Sequence, residues 1–276
     1  MNADASGQGK LANARVWCWV AGLLLLALGG CATRNSDATG ANVDILTASD
    51  EPEGRKRARI RMELAVGYFE QGQTNVALDE LKQVIVADPL FPDAYNLRGL
   101  IYMRLNDMRQ AEESFRRAVA LNSTDSNAQH NYGWLLCQQG RYDEAGRAFE
   151  AAMANPLYAG KAKTLMTQGV CQARAGRKDD AERNLARSYE LDAANPVTGY
   201  NLANLLFQRG EFTRAQFYIR RLNNSDLANA ETLWLGIKVE QKMEDRVAML
   251  QLADQLKRRF PQAPQTASYN KGAFNE

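Results

Sequence analysis

Side chains able to do covalent or metal chemistry are few in these 276 residues: one histidine, His130, and four cysteines, Cys18, Cys31, Cys137 and Cys171. One histidine does not make a usual zinc set, which takes three or four nitrogen and sulfur ligands. No paired cysteine and histidine stand out, and no glycine-rich loop follows a strand to cradle phosphate. The Asp and Glu residues fall at solvent-facing helical positions. The expectation is a protein with no enzymatic role, no catalytic residue, no metal, no cofactor and no small-molecule substrate. What remains is thiol chemistry and the binding surface that the chain builds.

The elements that position these groups are read from six alanines, Ala77, Ala111, Ala145, Ala181, Ala215 and Ala248, spaced 34, 34, 36, 34 and 33. Twelve residues before each stands a small residue: Ala65, Gly99, Gly133, Gly169, Ala203 and Gly236. Four after each stands a large apolar one: Leu81, Phe115, Phe149, Leu185, Ile219 and Leu252. A fixed period of this length means stacked repeats rather than one globular core. Within each unit the apolar residues recur at helical spacing, which gives two amphipathic helices, A and B. In the second unit A runs from about Asp93 to Leu105 and B from about Met108 to Leu121. The small residue and the alanine mark the helix crossing, where anything beyond a methyl would push the axes apart.

Gly72, Asn106, Gly140, Gly176 and Gly210 separate A from B, and Gly and Asn tolerate the left-handed conformation that closes a helix. The sixth unit carries Met243 there, a departure. Asn75, Asp143, Asp179 and Thr213 suit a helix N-terminus. Proline is expected to end three B helices, at Asp88-Pro89, Asn155-Pro156 and Asn195-Pro196. These positions resemble the tetratricopeptide repeat (TPR) over residues 58–261. The resemblance implies an all-α fold, a right-handed superhelical solenoid of six helix-turn-helix repeats. Arg98 and Gln168 stand where the family prefers leucine, and Gln172 where it prefers tyrosine. Two extra residues fall around Pro156–Lys161.

Ahead of the repeats, residues 1–15 are polar with Lys10 and Arg15, and Val16–Leu28 is an apolar run of signal-peptide proportions, too short for a mature span. It closes on Leu28-Gly29-Gly30-Cys31, which resembles the lipobox of bacterial lipoproteins. That resemblance implies lipid on the Cys31 sulfur and removal of residues 1–30. Ala32 at the following position points, by the family's sorting rule, to the outer membrane. Residues 31–57 are polar and small and read as a lipidated, disordered tether with a coil reach of about 30 Å. The run from Arg55 to Arg61 is either a contact for lipid head groups or an acidic partner, or a solvated helix start. The chain carries +2, and +1 without the signal, which is not the footprint of a nucleic-acid binder.

With Cys18 removed and Cys31 lipidated, Cys137 and Cys171 remain, late in the A helices of the third and fourth units. In an oxidising compartment an even count invites a disulfide, provided the Cα atoms come within about 7 Å. Closing this loop would stabilise by about 3–4 kcal/mol. The other reading, two buried thiols used as small apolar residues, stays open.

In the TPR family the A helices line the concave face. The inward positions would be Met62/Val66, Asn96/Leu100, His130/Trp134, Met166/Val170, Tyr200/Asn204 and Leu233/Ile237, with Phe69, Met103, Cys137, Ala173 and Phe207 one turn on. Methionine and aromatic groups are adaptable binding material. This face is either a groove for an amphipathic helix or extended peptide, or is packed against neighbouring repeats. Asn96, Asn131, Asn201 and Asn204 could hold a peptide backbone or hold helices in register. His130 reads as a pH-sensitive contact or a hydrogen-bonded core histidine. Trp134 sits on the inner face, and Trp234 reads as core filling. The tail, residues 262–276, docks as a helix or frays.

The lipobox, the polar tether, six repeats and a tail running from Phe260-Pro261 to Phe274 together resemble the PilF/PilW lipoproteins of type IV pili. The resemblance implies a periplasm-facing outer-membrane pilotin. Its partner would be the secretin, escorted to the membrane and helped into its multimeric pore. The alternative is a periplasmic TPR scaffold lipoprotein for peptidoglycan enzymes or outer-membrane protein assembly.

Overall fold

The computed structural model describes residues 50–274. The signal peptide, Cys31 and the tether up to residue 49 lie outside the described residues. Thirteen helices follow in order among them. The first six are α1 (Glu53–Glu70), α2 (Thr74–Ala87), α3 (Pro92–Arg104), α4 (Met108–Leu121), α5 (Ser126–Gln138) and α6 (Tyr142–Met153). Then come α7 (Lys161–Arg174), α8 (Lys178–Leu191), α9 (Pro196–Gln208), α10 (Phe212–Asn223), α11 (Ala230–Lys242), α12 (Arg246–Arg259) and α13 (Pro264–Lys271). Odd-numbered helices up to α11 are the A helices and even-numbered ones the B helices, so the six expected helix pairs are present.

The repeat spacing becomes packing through one contact. Five of the six spaced alanines are fully buried, and the large residue four positions on lies against the small residue of the A helix. A Cβ placed on Gly99 would stand 2.6 Å from the Phe115 ring, and one on Gly133 2.8 Å from Phe149. The A-helix position therefore makes room for the large side chain, more than for the alanine beside it. Gly169 faces Leu185 in the same way, at 2.7 Å, and Gly236 faces Leu252 at 3.0 Å, whereas Ala65 and Ala203 are the small residues of the units that carry Leu81 and Ile219. Each buried Phe or Leu contributes about 1.5–3 kcal/mol by removal from water.

Gly72, Gly140, Gly176 and Gly210 adopt φ of 76–77° and Asn106 60°, closing their A helices in the left-handed region. In the sixth unit the residue in that conformation is Glu244, with φ 60°, whereas Met243 has an ordinary helical φ of −83°. The expected departure at Met243 is thus a one-residue error of register: Glu244 stands 34 residues after Gly210. Proline behaves differently at one of the three expected stops. Pro196 opens α9, capped by the Asn195 side chain, which accepts from the amides of Val197 and Thr198. The departures at Arg98 and Gln172 are absorbed locally. Arg98 Nε donates to Ser114 Oγ at 2.9 Å, and Gln172 Oε1 accepts from Asn184 Nδ2 at 2.8 Å.

Helix α1 begins at Glu53, ahead of the boundary expected at residue 58. Arg55 pairs with Asp88 and lies over the Phe91 ring, while Lys56 pairs with Glu53 and Arg61 with Glu80. The Arg55 and Arg61 pairs hold two members of the basic run against its own array, and Lys56 is paired within α1, in keeping with a helix start.

Successive A helices touch one another from α1 to α11, and α11 touches α13, but no two B helices come as close among the described residues. A double row that touches along one side only must curve, with the A helices inside. Helix α13 takes the place of a further A helix and closes the last unit. Its C-cap Gly272 is left-handed, and Phe274 stacks on Trp234 at 5.4 Å. A polar-faced terminal cap is what a stack of repeats needs at its open end.

Candidate binding groove

The inner row is built by a 34-residue register, lengthened by two between the third and fourth units. The register places Met62, Asn96, His130, Met166, Tyr200 and Trp234 at equivalent positions. One turn on it gives Val66, Leu100, Trp134, Val170, Asn204 and Lys238. Leu233 and Ile237, expected here, are instead 0% exposed and belong to the core, because the sixth A helix follows the fifth by 34 residues while the alanine spacing there is 33. Trp234 takes the inner position and lies partly buried beneath Phe274. Lys238 Nζ stands 5.6 Å from the centroids of both Phe207 and Trp234, and burial holds its pKa below the usual lysine value.

At the first units the inner row opens into a groove of about 840 Å³. Met62 and Val66 from α1 and Asn96 and Leu100 from α3 line it, four of the residues expected from the sequence. The opposite wall comes from elsewhere: Asp125, Ser126 and Asn127 at the start of α5, and Asn155, Leu157 and Tyr158 in the loop before α7. That loop carries the two extra residues, and Leu157 on it is 89% exposed. Sequence periodicity could not place this wall, since it is made of loop residues and the first turn of α5 rather than of a helix face. The insertion itself was the available signal. Asp93 and Asp125 make the rim acidic. Burial, and then the neighbouring Asp125 carboxylate, hold the Asp93 pKa above the ordinary aspartate value.

Other expected contacts are occupied inside the array. Asn131 Nδ2 donates to Asn96 Oδ1 at 3.0 Å, tying α5 to α3 at the groove floor. Asn201 Nδ2 donates to the Val197 carbonyl of its own helix at 2.8 Å, which ties it to no neighbouring helix. His130 is only 5% exposed and corrects the reading of it as a surface contact. Its Nδ1 lies 2.9 Å from Thr164 Oγ1, which Tyr158 Oη also approaches at 3.2 Å. The longer loop of the fourth unit has folded over it.

Phe69, Met103, Trp134, Met166 and Asn204 stay partly exposed along the row. Two carry a guanidinium over the ring: Arg104 stands 4.0 Å from the Phe69 centroid, and Arg174 5.2 Å from that of Trp134. Cys137 on α5 and Cys171 on α7 are joined, their Cα atoms 5.8 Å apart and both side chains buried. Cys137 is therefore no groove contact either. Among the described residues no cluster could hold a metal ion, and no helix is long and apolar enough to cross a membrane.

Comparison with known proteins agrees with this geometry. The tetratricopeptide repeat family matches residues 62–126, 100–160 and 131–196. The type IV pilus assembly protein PilF of Pseudomonas aeruginosa is 28% identical over 240 residues, spanning 87% of this chain and 92% of that protein. The crystal structure of PilW, a widely conserved type IV pilus biogenesis factor, superposes with a TM-score of 0.72 at 26% identity. It covers 77% of this chain and 97% of its own. The structure of Pseudomonas aeruginosa PilF gives the same TM-score and identity, covering 80% and 100%. Thirteen stacked helices, the six-fold spacing and these likenesses together make the chain a tetratricopeptide-repeat protein of the PilF/PilW type.

Proposed function

We propose that this protein acts in type IV pilus biogenesis as a lipid-anchored pilotin of the outer membrane. In this reading Cys31 carries the lipid and the tether from residue 31 lets the array work within the periplasm. The groove holds a segment of the secretin. The lipid then raises the secretin's effective concentration at the membrane where it multimerises, a linkage effect rather than a chemical step. The single observation that supports it best is the groove itself: Met62, Val66, Leu100 and Leu157 offer apolar contact, Asn96 and Asn127 offer amides to a peptide backbone, and Asp93 and Asp125 supply negative charge. That combination suits an extended or helical segment with apolar side chains and a basic residue. The Cys137–Cys171 bridge belongs to the same reading of an oxidising compartment, and a 2 Da mass gain on reduction, about one hydrogen per thiol, would register it.

The test is capture of the secretin from envelope extracts by the wild-type protein, by Val66→Asp and by Leu157→Asp. Both substituted side chains are exposed in the free array. Loss of capture with an unchanged helical signal supports the groove. Cells lacking the protein should lose secretin multimers, and Cys31→Ser should release the protein from the membrane. Normal multimer levels in the deletion strain would rule out the pilotin role. A periplasmic scaffold for peptidoglycan enzymes or outer-membrane protein assembly would instead recover those proteins in the same capture.

A further inference from the structure

Outside the groove, one position of the repeat is filled in four units and empty in a fifth. Tyr95, Gln129, Leu165 and Leu233 are equivalent in the 34-residue register, and all are buried, from 8% exposed down to 0%. Their side chains plug the space between the ends of successive B helices. Tyr95, for example, packs with Ile85, Ala118, Val119 and Leu121. Two of the plugs end in a donor. Tyr95 Oη donates to the Pro89 carbonyl at 3.0 Å, and Gln129 Nε2 to the Ser123 carbonyl at 3.1 Å. Each of those carbonyls lies six residues before its plug.

The fifth unit has Gly199 at this position. Its φ is not left-handed, so the backbone does not call for glycine. A Cβ added there would meet nothing nearer than Tyr189 Cε2 at 3.8 Å. The missing side chain leaves a cavity of about 190 Å³, walled by Tyr189, Tyr218, Pro196 and Leu222, with Ala193 at its end. Ala193 stands six residues before Gly199, as Pro89 does before Tyr95. The rings of Tyr189 and Tyr218 meet edge-on at 4.9 Å. Tyr189 Oη is buried with no hydrogen-bond partner among the described residues. At the rim, the Arg221 guanidinium lies 5.9 Å from the Tyr189 ring and joins no ion pair among the described residues.

We propose that this notch is a docking site for one side chain of a protein partner, a tyrosine preceded by a carboxylate. The partner tyrosine fills from outside the place that Tyr95 fills from within. Its ring lies against the Tyr189 and Tyr218 pair, its hydroxyl donates to the Ala193 carbonyl and accepts from Tyr189 Oη, and the carboxylate meets Arg221. A buried hydroxyl left unpaired is unfavourable, and a ligand that satisfies it gains by that much. The notch opens at the B-helix ends, so it is independent of the inner groove and of what binds there.

The experiment is an NMR titration of the full chain with N-acetyl-Asp-Tyr-amide at millimolar concentration. N-acetyl-Lys-Tyr-amide and N-acetyl-Asp-Ala-amide serve as controls. The Gly199 amide and Tyr218 ring signals should shift saturably with Asp-Tyr, with at least threefold weaker affinity for Lys-Tyr and no shift with Asp-Ala. Gly199→Leu places there the residue that the fourth and sixth units already carry, and should abolish the shifts. Arg221→Glu, an exposed change that leaves the core intact, should reverse the Asp-Tyr over Lys-Tyr preference. An unmoved Gly199 amide, equal affinities for Asp-Tyr and Lys-Tyr, or unchanged binding to Gly199→Leu would overturn the proposal.

Discussion

His130 Nδ1 meets Thr164 Oγ1 at 2.9 Å across the boundary between the third and fourth units, in a site that water barely reaches. Burial, and secondarily the charge of Lys163, lower the histidine pKa to about 4 from an ordinary value of 6.5. The unfolded chain therefore takes up a proton at a pH where the folded one does not. Stability from this site is full above pH 6.5 and is lost as pH falls through the window down to about 4. The loss should reach about 2–3 kcal/mol at pH 4. Urea denaturation of wild type and His130→Gln between pH 7 and 4 measures it. The variant keeps a hydrogen-bonding group and should show a shallower pH slope. Equal slopes would remove His130 as the source.

Gly99 and Phe115 should behave as one unit. Gly99→Ala puts a methyl into the Phe115 ring and should destabilise the array by about 1–3 kcal/mol, as overpacking does. Gly99→Ala combined with Phe115→Leu reproduces the Ala65–Leu81 pair of the first unit. The double variant should be more stable than the sum of the two single changes implies. A double-mutant cycle by denaturant unfolding gives the coupling directly, and strict additivity would show that the two side chains do not share the space.

The order and number of the repeats were legible because the alanine, the small residue and the large apolar residue are three parts of one steric contact. Selection on that contact leaves a trace at three fixed offsets. The inner row was legible in direction but not in exposure. Helical periodicity gives the side of α5 that His130 faces. It cannot give the Tyr158 loop that the next unit folds over that side. The groove wall at Leu157 was hidden for the same reason. The sixth unit failed at its turn, since glutamate does not announce a left-handed residue. Thr198 and Thr232, both buried and 34 residues apart, carry the correct register.

That turn supplies a test of its own. Glu244 holds φ 60° where four other units use glycine and one asparagine. A side chain beyond glycine in this region is disfavoured by about 1–2 kcal/mol, partly offset by the greater freedom of unfolded glycine. Glu244→Gly should stabilise by about 1 kcal/mol, a Tm rise of about 2–4 °C in a domain of this size. Differential scanning calorimetry would read the shift. A lower Tm would mean that the glutamate side chain holds the turn through contacts of its own.

Glu240 occupies the position that Leu206 fills one unit earlier, and both are 0% exposed. Its carboxylate is held on three sides. Arg220 Nε and Nη2 donate to Oε1 and Oε2 at 2.7 and 2.8 Å, and Gln216 Nε2 donates to Oε2 at 2.8 Å. Arg220 also reaches Asp245, the N-cap of α12, at 2.9 Å. The carboxylate is buried while the Arg220 side chain is half exposed, so removing the arginine leaves a buried charge without its partner, whereas an apolar residue of similar volume avoids desolvating the carboxylate at all. Arg220→Ala should therefore destabilise the array by about 2–3 kcal/mol, less than for a wholly buried pair because the arginine is half exposed and Gln216 still donates, while Glu240→Leu should be neutral or stabilising by up to a few kcal/mol. The asymmetry is the informative result. If Glu240→Leu destabilises as much as Arg220→Ala, the carboxylate is fixing the register of α11 on α10, and the leucine that the third and fifth units carry there, Leu136 and Leu206, is no substitute for it at this one.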